Sequence, residues 1–371
     1  MNNNKPFRVL QVVAWMNAGG MENYIMNMYR AIDKSKVQFD FLVHHAVIGL
    51  YEQEIEELGG KVYHFTVLDD KNVFKYIFGL RSFFAEHKEY KIVHGHLSSL
   101  AVIYLGVAKQ YGVPFRIAHS HGAGFLHTPK GYAKFLLFRT TKWYANIRLA
   151  CSTEAGKYLY GNASFELVPN SIDACRFSFN SEKRFQMRET LGITDEYVIG
   201  HVGRFNLQKN HEYLLLFFAD LLKQGHNFKL LLLGDGELFS KIQTFSEKLG
   251  IRDKVIFAGV HKDVENYYPA MDAFVLPSLF EGLPVTGIEA QYEGLPCFFS
   301  DEITKEAKIS NQVTFLKIGV ENMNLWVDAL AKHPINNERS KISLDTDKYD
   351  VRVTTKEMEN KYLHLCECSN N

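Results

Sequence analysis

The sequence predicts two doubly wound α/β domains in tandem, and three observations carry the prediction. Short buried runs alternate with amphipathic stretches from Arg8 to His119, the alternation that builds a parallel sheet with helices on both faces. The same alternation restarts at Tyr197 and continues to Phe299. The chain's 371 residues are enough for two domains, each with a sizeable core. Hydrophobic content of 46% and charged content of 23% are those of an ordinary soluble globular protein.

In the first half, Arg8–Val13 reads as a buried strand. Asn17-Ala18-Gly19-Gly20 follows as a turn, and an amphipathic helix runs to about Ile32. Two glycines at a strand-to-helix turn let backbone approach a ligand closely. They are not the Gly-x-Gly-x-x-Gly fingerprint of dinucleotide-binding oxidoreductases. Further strands are expected at Phe39–Val43, Lys61–Phe65, Ile92–His94 and Arg116–His119, with helices near 51–58, 73–87 and 98–111. Histidines cluster where two of these strands end: His94 and His96 after one, His119 and His121 after the other. Open α/β sheets bind ligands at such ends. Neither spacing has the form of a zinc site.

Residues 131–149 read as one helix. At 100° per residue, Leu136, Leu137, Trp143, Tyr144 and Ile147 fall on an arc expected to face the core. Lys134, Phe135, Phe138, Arg139 and Lys142 fall on the opposite arc, as a basic face with two phenylalanines that suits an anionic membrane surface. The alternative is a helix packed on both sides with its cations snorkelling.

Net charge is zero but uneven. Residues 1–190 carry 23 Lys+Arg against 16 Asp+Glu, a balance of +7; the remainder balances at −7. No acidic residue stands between Glu89 and Glu154. A positive face on the first domain suits an anionic membrane or a lipid pyrophosphate. Nucleic acid is the weakest choice of partner and is not expected, because no recognised binding motif accompanies the charge.

In the second half, strand Tyr197–Val202 precedes the loop Gly203-Arg204-Phe205-Asn206-Leu207-Gln208-Lys209-Asn210. It lacks the Gly-Lys-Ser/Thr of a Walker loop. Arg204 offers a planar fork for phosphate oxygens and Lys209 a mobile point charge. Strand Lys229–Leu233, turn Gly234-Asp235-Gly236, helix 237–249 and strand Val255–Ala258 follow. Then comes AFVLPSLFEGLPVTGIEAQYEGLP, residues 273–296. Ala273–Leu276 is a buried strand and 278–283 a loop, with Pro284 as first residue of a helix that closes at Gly294. Free N–H groups at that helix start attract an anion. The carboxylates of Glu281 and Glu289 accept from vicinal hydroxyls. A ligand with both a phosphate and sugar diols uses all of these groups, which describes a nucleotide sugar. The next strand is 296–299, and a final helix is expected at 354–365.

This Glu-x7-Glu block resembles the signature of retaining glycosyltransferases of family 4, which have the GT-B fold. Gly203-Arg204 with Lys209-Asn210 is similar to the family's Gly-Arg-x4-Lys-Asn, His121-Gly122 to its His-Gly, and Pro169-Asn170-Ser171-Ile172-Asp173 to its Pro-Asn-Gly-x-Asp, with Ser171 in place of glycine. The likeness runs from Gly19-Gly20 to about Pro296 and is closest to bacterial enzymes of exopolysaccharide and capsule synthesis. It implies two Rossmann-like domains whose parallel sheets face a central cleft: an acceptor domain at 1–172, a nucleotide-sugar domain at 173–345, and a helix within 346–371 returning to the first. It further implies transfer of a hexose from a nucleotide-diphosphate donor, UDP favoured, to a lipid-linked acceptor, with anomeric configuration kept and neither cofactor nor metal required. Gly20, Arg204, Lys209 and Leu283 would hold the donor diphosphate, and Glu281 and Glu289 its sugar and ribose. His121 and Glu281 would be catalytic, and His119 and His96 candidates for the acceptor side. A nucleotide-sugar epimerase or hydrolase of the same fold, or a non-catalytic partner of another transferase, are the alternatives.

Five scattered cysteines (151, 175, 297, 366, 368) suit a reducing compartment, and Cys366-Glu-Cys368 lacks the partners of a zinc site. The N-terminus has no apolar signal region, and the longest apolar run, near 100–108, is too short to span a membrane. A cytoplasmic protein, peripheral on the membrane's inner face, is the expectation. Asp345-Thr346-Asp347 has a metal-binding Asp-x-Asp form but follows no strand, and is read as a surface turn.

Overall fold

The computed structural model describes residues 5–17, 19–124, 128–225, 227–332, 339 and 347–368. Asp345 and Thr346, and with them the Asp-x-Asp reading, lie outside the described residues. The chain divides into two compact units, residues 1–171 with 347–371, and residues 172–346.

The first unit begins with β1 (Phe7–Val12), α1 (Gly20–Ala31), β2 (Val37–Val43), α2 (Glu52–Glu57), β3 (Val62–His64), α3 (Val67–Asp70) and α4 (Val73–Glu86). It continues through β4 (Ile92–Gly95), α5 (Ala101–Gln110), β5 (Phe115–Ser120), α6 (Pro129–Phe138), β6 (Ile147–Ala150), α7 (Thr153–Tyr160) and β7 (Glu166–Leu167). Its seven strands are ordered β3-β2-β1-β4-β5-β6-β7, with parallel pairing throughout. The strand order reverses between β1 and β4, the usual ligand position of an open parallel sheet. Val9, Phe39, Phe41, Ile92, Ile117 and Leu149 are fully buried along these strands, the near-continuous burial of a sheet covered on both faces.

The second unit holds α8 (Ser181–Thr190), β8 (Tyr197–Val202), α9 (His211–Lys223), β9 (Phe228–Leu233), α10 (Phe239–Lys248), β10 (Val255–Gly259), β11 (Ala273–Leu276), α11 (Val285–Tyr292), β12 (Cys297–Ser300), β13 (Val313–Leu316) and α12 (Met323–Ala331). Its sheet runs β10-β9-β8-β11-β12-β13, again parallel, and reverses between β8 and β11. Trp326 of α12 stacks on Phe217 of α9 to close the core on one side. Beneath α8, Arg184 and Arg188 share the carboxylate of Asp272, at 2.6 and 3.2 Å.

The last helix, α13 (Val351–Cys368), belongs to the first unit and packs on α1. Met358 and Tyr362 complete that unit's core, and Glu359 accepts the backbone N–H of Asp33 at 3.0 Å. Thr354 donates to Ser171 at 2.6 Å, so the serine standing where the family motif has glycine is buried and bonded to α13.

The region after β5 departs from its expected form. A single helix over 131–149 is wrong: α6 ends at Phe138, one stretch of 3-10 helix covers Arg139–Trp143, and Ile147 already lies in β6. Leu136, Leu137 and Trp143 do not face the core; they are 67%, 52% and 67% exposed. Phe135 and Phe138 are half-buried instead, and Phe135 packs on Tyr158 of α7 at 5.4 Å between ring centroids. The arcs assumed 100° per residue throughout, whereas 3-10 backbone turns by about 120° and a strand by about 180°. Within α6 both arcs were apolar, so contact with α7 decided which one is covered.

Candidate functional site

In the second unit the site grows from two loops that leave adjacent strands at the reversal point. The first, Gly203–Asn210, follows β8 and contains one 3-10 turn over Leu207–Lys209, capped by Asn206 Oδ1 accepting from Lys209 N–H at 3.1 Å. Asn210 then adopts φ 59° and ψ 44°, a left-handed conformation that asparagine tolerates better than most residues. Its side chain donates to the Pro277 carbonyl at 3.1 Å in the second loop, the one that follows β11. Gln208 continues the lacing: its carbonyl accepts from Leu279 N–H at 2.8 Å, and its amide donates to Phe280 O at 2.9 Å and Glu281 Oε2 at 3.1 Å. Lys209 Nζ donates to Glu281 Oε1 at 2.6 Å. Gly234, at φ +134°, backs the first loop; a Cβ there would come within 2.1 Å of the Gly203 carbonyl.

These contacts hold an ammonium and a carboxylate together in a largely buried place, with Lys209 14% and Glu281 9% exposed at the side chain. Arg204 differs: it is 71% exposed and pairs with Glu237 at 3.4 Å, a surface pair of little worth that leaves the guanidinium available. Leu283 is buried, and the helix it precedes starts at Val285. Pro284 is therefore not the first helical residue; with φ −74° and ψ 106° it is extended and stands one position earlier, as the cap. Gly294, at φ +78°, ends the turn after α11.

Glu289 lies in the second turn of α11, fully enclosed, and accepts from the Tyr268 hydroxyl at 2.7 Å. Burial pushes its carboxyl pKa up to about 7, against the opposing pull of the Tyr268 hydrogen bond and the Arg176 charge. Arg176 is itself paired with Glu265 at 2.6 Å.

In the first unit, α1 starts at Gly20, an exposed position, with Gly19 extended as its cap. The four histidines come together where β4 and β5 end. His94 and His96 stack with ring centroids 4.2 Å apart, His94 and His119 at 5.4 Å, and His119 and His121 lie 4.1 Å apart. His94, His96 and His119 are buried; His121 keeps part of its surface exposed. His121 Nδ1 lies 2.8 Å from Asn170 Oδ1 and its Nε2 lies 2.8 Å from His96 Nδ1. Burial holds the imidazolium pKa of His121 down to about 4, and those of the other three well below the usual range. The His94, His96 and His119 nitrogens gather within 4.8 Å of one another. Rings stacked at 13° and 27°, however, present their nitrogens side by side rather than at one point, and both His96 nitrogens are already bonded. The cluster has the form of a hydrogen-bonded stack, unlike the converging ligands of a zinc site.

Comparison with known proteins matches both units. Residues 18–176 match the model described as Glycosyltransferase Family 4, and residues 183–338 the one described as Glycosyl transferases group 1. The chain is 35% identical over 340 residues to the putative glycosyltransferase EpsF of Bacillus subtilis, covering 89% of this chain and 88% of that one. The chain is a family 4 glycosyltransferase. A second relative of this glycosyltransferase is the Escherichia coli enzyme named UDP-Gal:alpha-D-GlcNAc-diphosphoundecaprenol alpha-1,3-galactosyltransferase, 27% identical over 265 residues and 66% of each chain. Among solved structures, Anabaena HepE in complex with UDP-glucose aligns with TM-score 0.73 at 14% identity over 98% of this chain and 99% of that one. Sucrose-phosphate synthase from Thermosynechococcus elongatus aligns with TM-score 0.74 at 17% identity over 97% and 99%. The fold of this glycosyltransferase is GT-B.

The structure thus brings Lys209 into contact with Glu281 and keeps Arg204 exposed in its surface pair with Glu237, while both nitrogens of His96 and Nε2 of His119 are bonded inside the first unit. Sequence reasoning missed three residues of the glycosyltransferase. Gln208 ties the two loops, Tyr268 holds Glu289, and Asn170 holds His121. Gln208 and Asn170 lay inside motifs already singled out; nothing in the sequence around Tyr268 pointed to Glu289.

Proposed function

We propose that the enzyme transfers a hexose from a UDP-sugar to a lipid-linked acceptor of exopolysaccharide or capsule synthesis, retaining the anomeric configuration and using no metal. The observation that carries this reading is the 2.6 Å contact of Lys209 with Glu281 across two loops at the strand-order reversal. It sets a phosphate-seeking cation beside a hydroxyl-seeking carboxylate, as a ligand with diphosphate and sugar diols requires. Arg204, Lys209 and the start of α11 after Leu283 meet the charge that grows on the departing diphosphate. Glu281 orients the hexose and Glu289 the ribose, while His121 bears on the transferred sugar. No side chain is assigned as nucleophile. Attack proceeds on the face from which the diphosphate leaves, and a departing phosphate oxygen takes the acceptor's proton.

Supporting the donor class, HepE of the same fold has been solved with UDP-glucose, and the E. coli relative is named for UDP-Gal. Supporting the acceptor class, that relative's named acceptor is a diphosphoundecaprenol-linked sugar. The membrane contact belongs to a different face from the one the sequence suggested. Tyr132, Leu136, Leu137 and Trp143 are exposed on α6 and the turn after it, beside Lys134 and Lys142, whose ammonium lies 5.9 Å from the Trp143 ring centre. Aromatic and aliphatic side chains flanked by lysines suit a reversible, salt-sensitive interfacial contact. Among the described residues no helix is long and apolar enough to cross a membrane.

A thermal-shift panel of UDP-, GDP- and ADP-sugars tests the donor, followed by analysis of the product's anomer. Stabilisation by UDP-sugars and a retained anomer are expected. An inverted product would refute the mechanism.

A further inference from the structure

The nitrogens of the histidine stack are joined into a chain. Asn170 Oδ1 faces His121 Nδ1 at 2.8 Å, and His121 Nε2 faces His96 Nδ1 at 2.8 Å. The Gln11 amide spans the next two groups, with Oε1 2.9 Å from His96 Nε2 and Nε2 donating to the Tyr362 hydroxyl at 3.5 Å. Tyr362 lies 2.6 Å from His94 Nδ1. Asn170 precedes the junction of the units, and Tyr362 comes from α13, nearly two hundred residues later.

A neutral imidazole carries one proton, so each link dictates the next. Asn170 Oδ1 requires a proton on His121 Nδ1, which leaves His121 Nε2 to accept from His96 Nδ1–H. His96 Nε2 is then bare and cannot donate to Gln11 Oε1, so the Gln11 amide stands turned over with its NH2 toward His96, an exchange of two ends of nearly the same shape. The Gln11 carbonyl accepts from Tyr362 O–H, and Tyr362 accepts from His94 Nδ1–H. The atoms left over are His94 Nε2 and His119 Nδ1, both buried without a partner. In this polarity both are bare lone pairs, since His119 Nε2 carries its proton toward the Val168 carbonyl at 3.1 Å. The reverse polarity would strand an N–H on buried His94 Nε2, which is the rarer and costlier defect.

We infer that Asn170 and Tyr362 are positioning residues for His121, holding the two ends of a hydrogen-bond chain that selects its neutral tautomer with the proton on Nδ1. The inference rests on the proposed placement of His121 at the donor sugar. Its consequence is that the sugar meets a fixed, uncharged ring. A cation there would oppose the positive charge that a glycosyl centre develops in an oxocarbenium-like transition state. Tyr24 of α1 packs on the rings of His119 and His121, at 5.8 and 5.7 Å between centroids, and contributes no charge to the site.

The test uses the full-length enzyme labelled with 15N-histidine, in wild type and in Asn170→Leu, Asn170→Asp, Tyr362→Phe and His121→Ala. The wild-type spectrum should show His121 protonated on Nδ1 alone. Asn170→Leu and Tyr362→Phe should each give mixed tautomers along the chain. Asn170→Leu should release UDP from UDP-glucose or UDP-galactose about tenfold more slowly, with UDP affinity unchanged. Asn170→Asp should keep the tautomer but stabilise the cation, so its turnover at saturating donor, taken as a ratio to wild type, falls as pH drops from about 7 to about 5. A wild-type His121 protonated on Nε2, or tautomers unmoved in both Asn170→Leu and Tyr362→Phe, would overturn the inference. Wild-type turnover in His121→Ala would instead refute the sugar-facing role of His121 and leave the tautomer result to judge the chain.

Discussion

Glu289 offers the most direct test of the nucleotide assignment, because its burial makes ribose binding depend on pH. Its ordinary pKa of 4.5 rises to about 7 in the folded enzyme. Only the ionised carboxylate accepts from both ribose hydroxyls, so UDP affinity should climb as pH rises through 7 and level off above it. At pH 6, one unit below the pKa, roughly one site in ten is ionised. Affinity should therefore be about tenfold below its plateau at pH 8, or about 1.4 kcal/mol. Isothermal titration of UDP at half-unit steps of pH, on wild type and Glu289→Gln, reads this directly. The terminal phosphate of UDP titrates in the same range, but it does so equally for both proteins, and their ratio cancels it. The ratio should fall from its plateau by about tenfold by pH 6. Tyr268→Phe removes the hydrogen bond that holds the carboxyl down, so its midpoint should move to higher pH. A constant ratio, with Glu289→Gln binding UDP as tightly as wild type, would refute the placement of Glu289 at the ribose. The same shift has a stability counterpart. With a raised pKa the folded state holds its proton more tightly, so this contribution is present below pH 4.5 and is lost by about pH 7. In thermal denaturation, Glu289→Gln should lack that part of the decline.

Arg204→Ala should weaken UDP binding at no cost to the melting temperature, since its pair with Glu237 is exposed. Lys209→Ala should weaken UDP binding too and also destabilise the fold by about 2 kcal/mol in urea titration, because Glu281 loses its buried partner; unchanged UDP affinity in both variants would sink the diphosphate assignment. Glu281→Gln should lower turnover far more than UDP affinity, as expected of a group that orients the sugar in the transition state; equal losses in the two would assign it to nucleotide binding. On anionic vesicles, a Leu136→Ser, Leu137→Ser, Trp143→Ser variant should sediment less than wild type, whereas Phe135→Ser should lose stability through its packing on Tyr158. Equal partitioning of the triple variant and wild type would remove the membrane contact.

Much of this enzyme was legible because its strands and motif loops are local. β8 runs over Tyr197–Val202, the bounds its apolar run predicts, and β11 over Ala273–Leu276 likewise. Glu281 and Glu289 sit where strand, loop and helix put residues eight apart. Such features follow from periodicity and turn chemistry within some ten residues, information the sequence holds by itself. The tertiary structure decided what depends on neighbours far along the chain. Two apolar arcs competed on α6, and α7 chose between them. The end of the helix expected over 131–149 is strand β6 instead, which its pairing with β5 decides. The Glu289 carboxyl is pushed up toward neutrality because the core of the second unit encloses it, against the opposing hydrogen bond from Tyr268, and spacing cannot report enclosure. The four histidines were visible as two pairs, but their stacking came from β4 lying beside β5. Their proton order came from Gln11, Asn170 and Tyr362, residues that only the folded chain brings to one place, because a hydrogen bond is set by distance in space and not by distance in sequence.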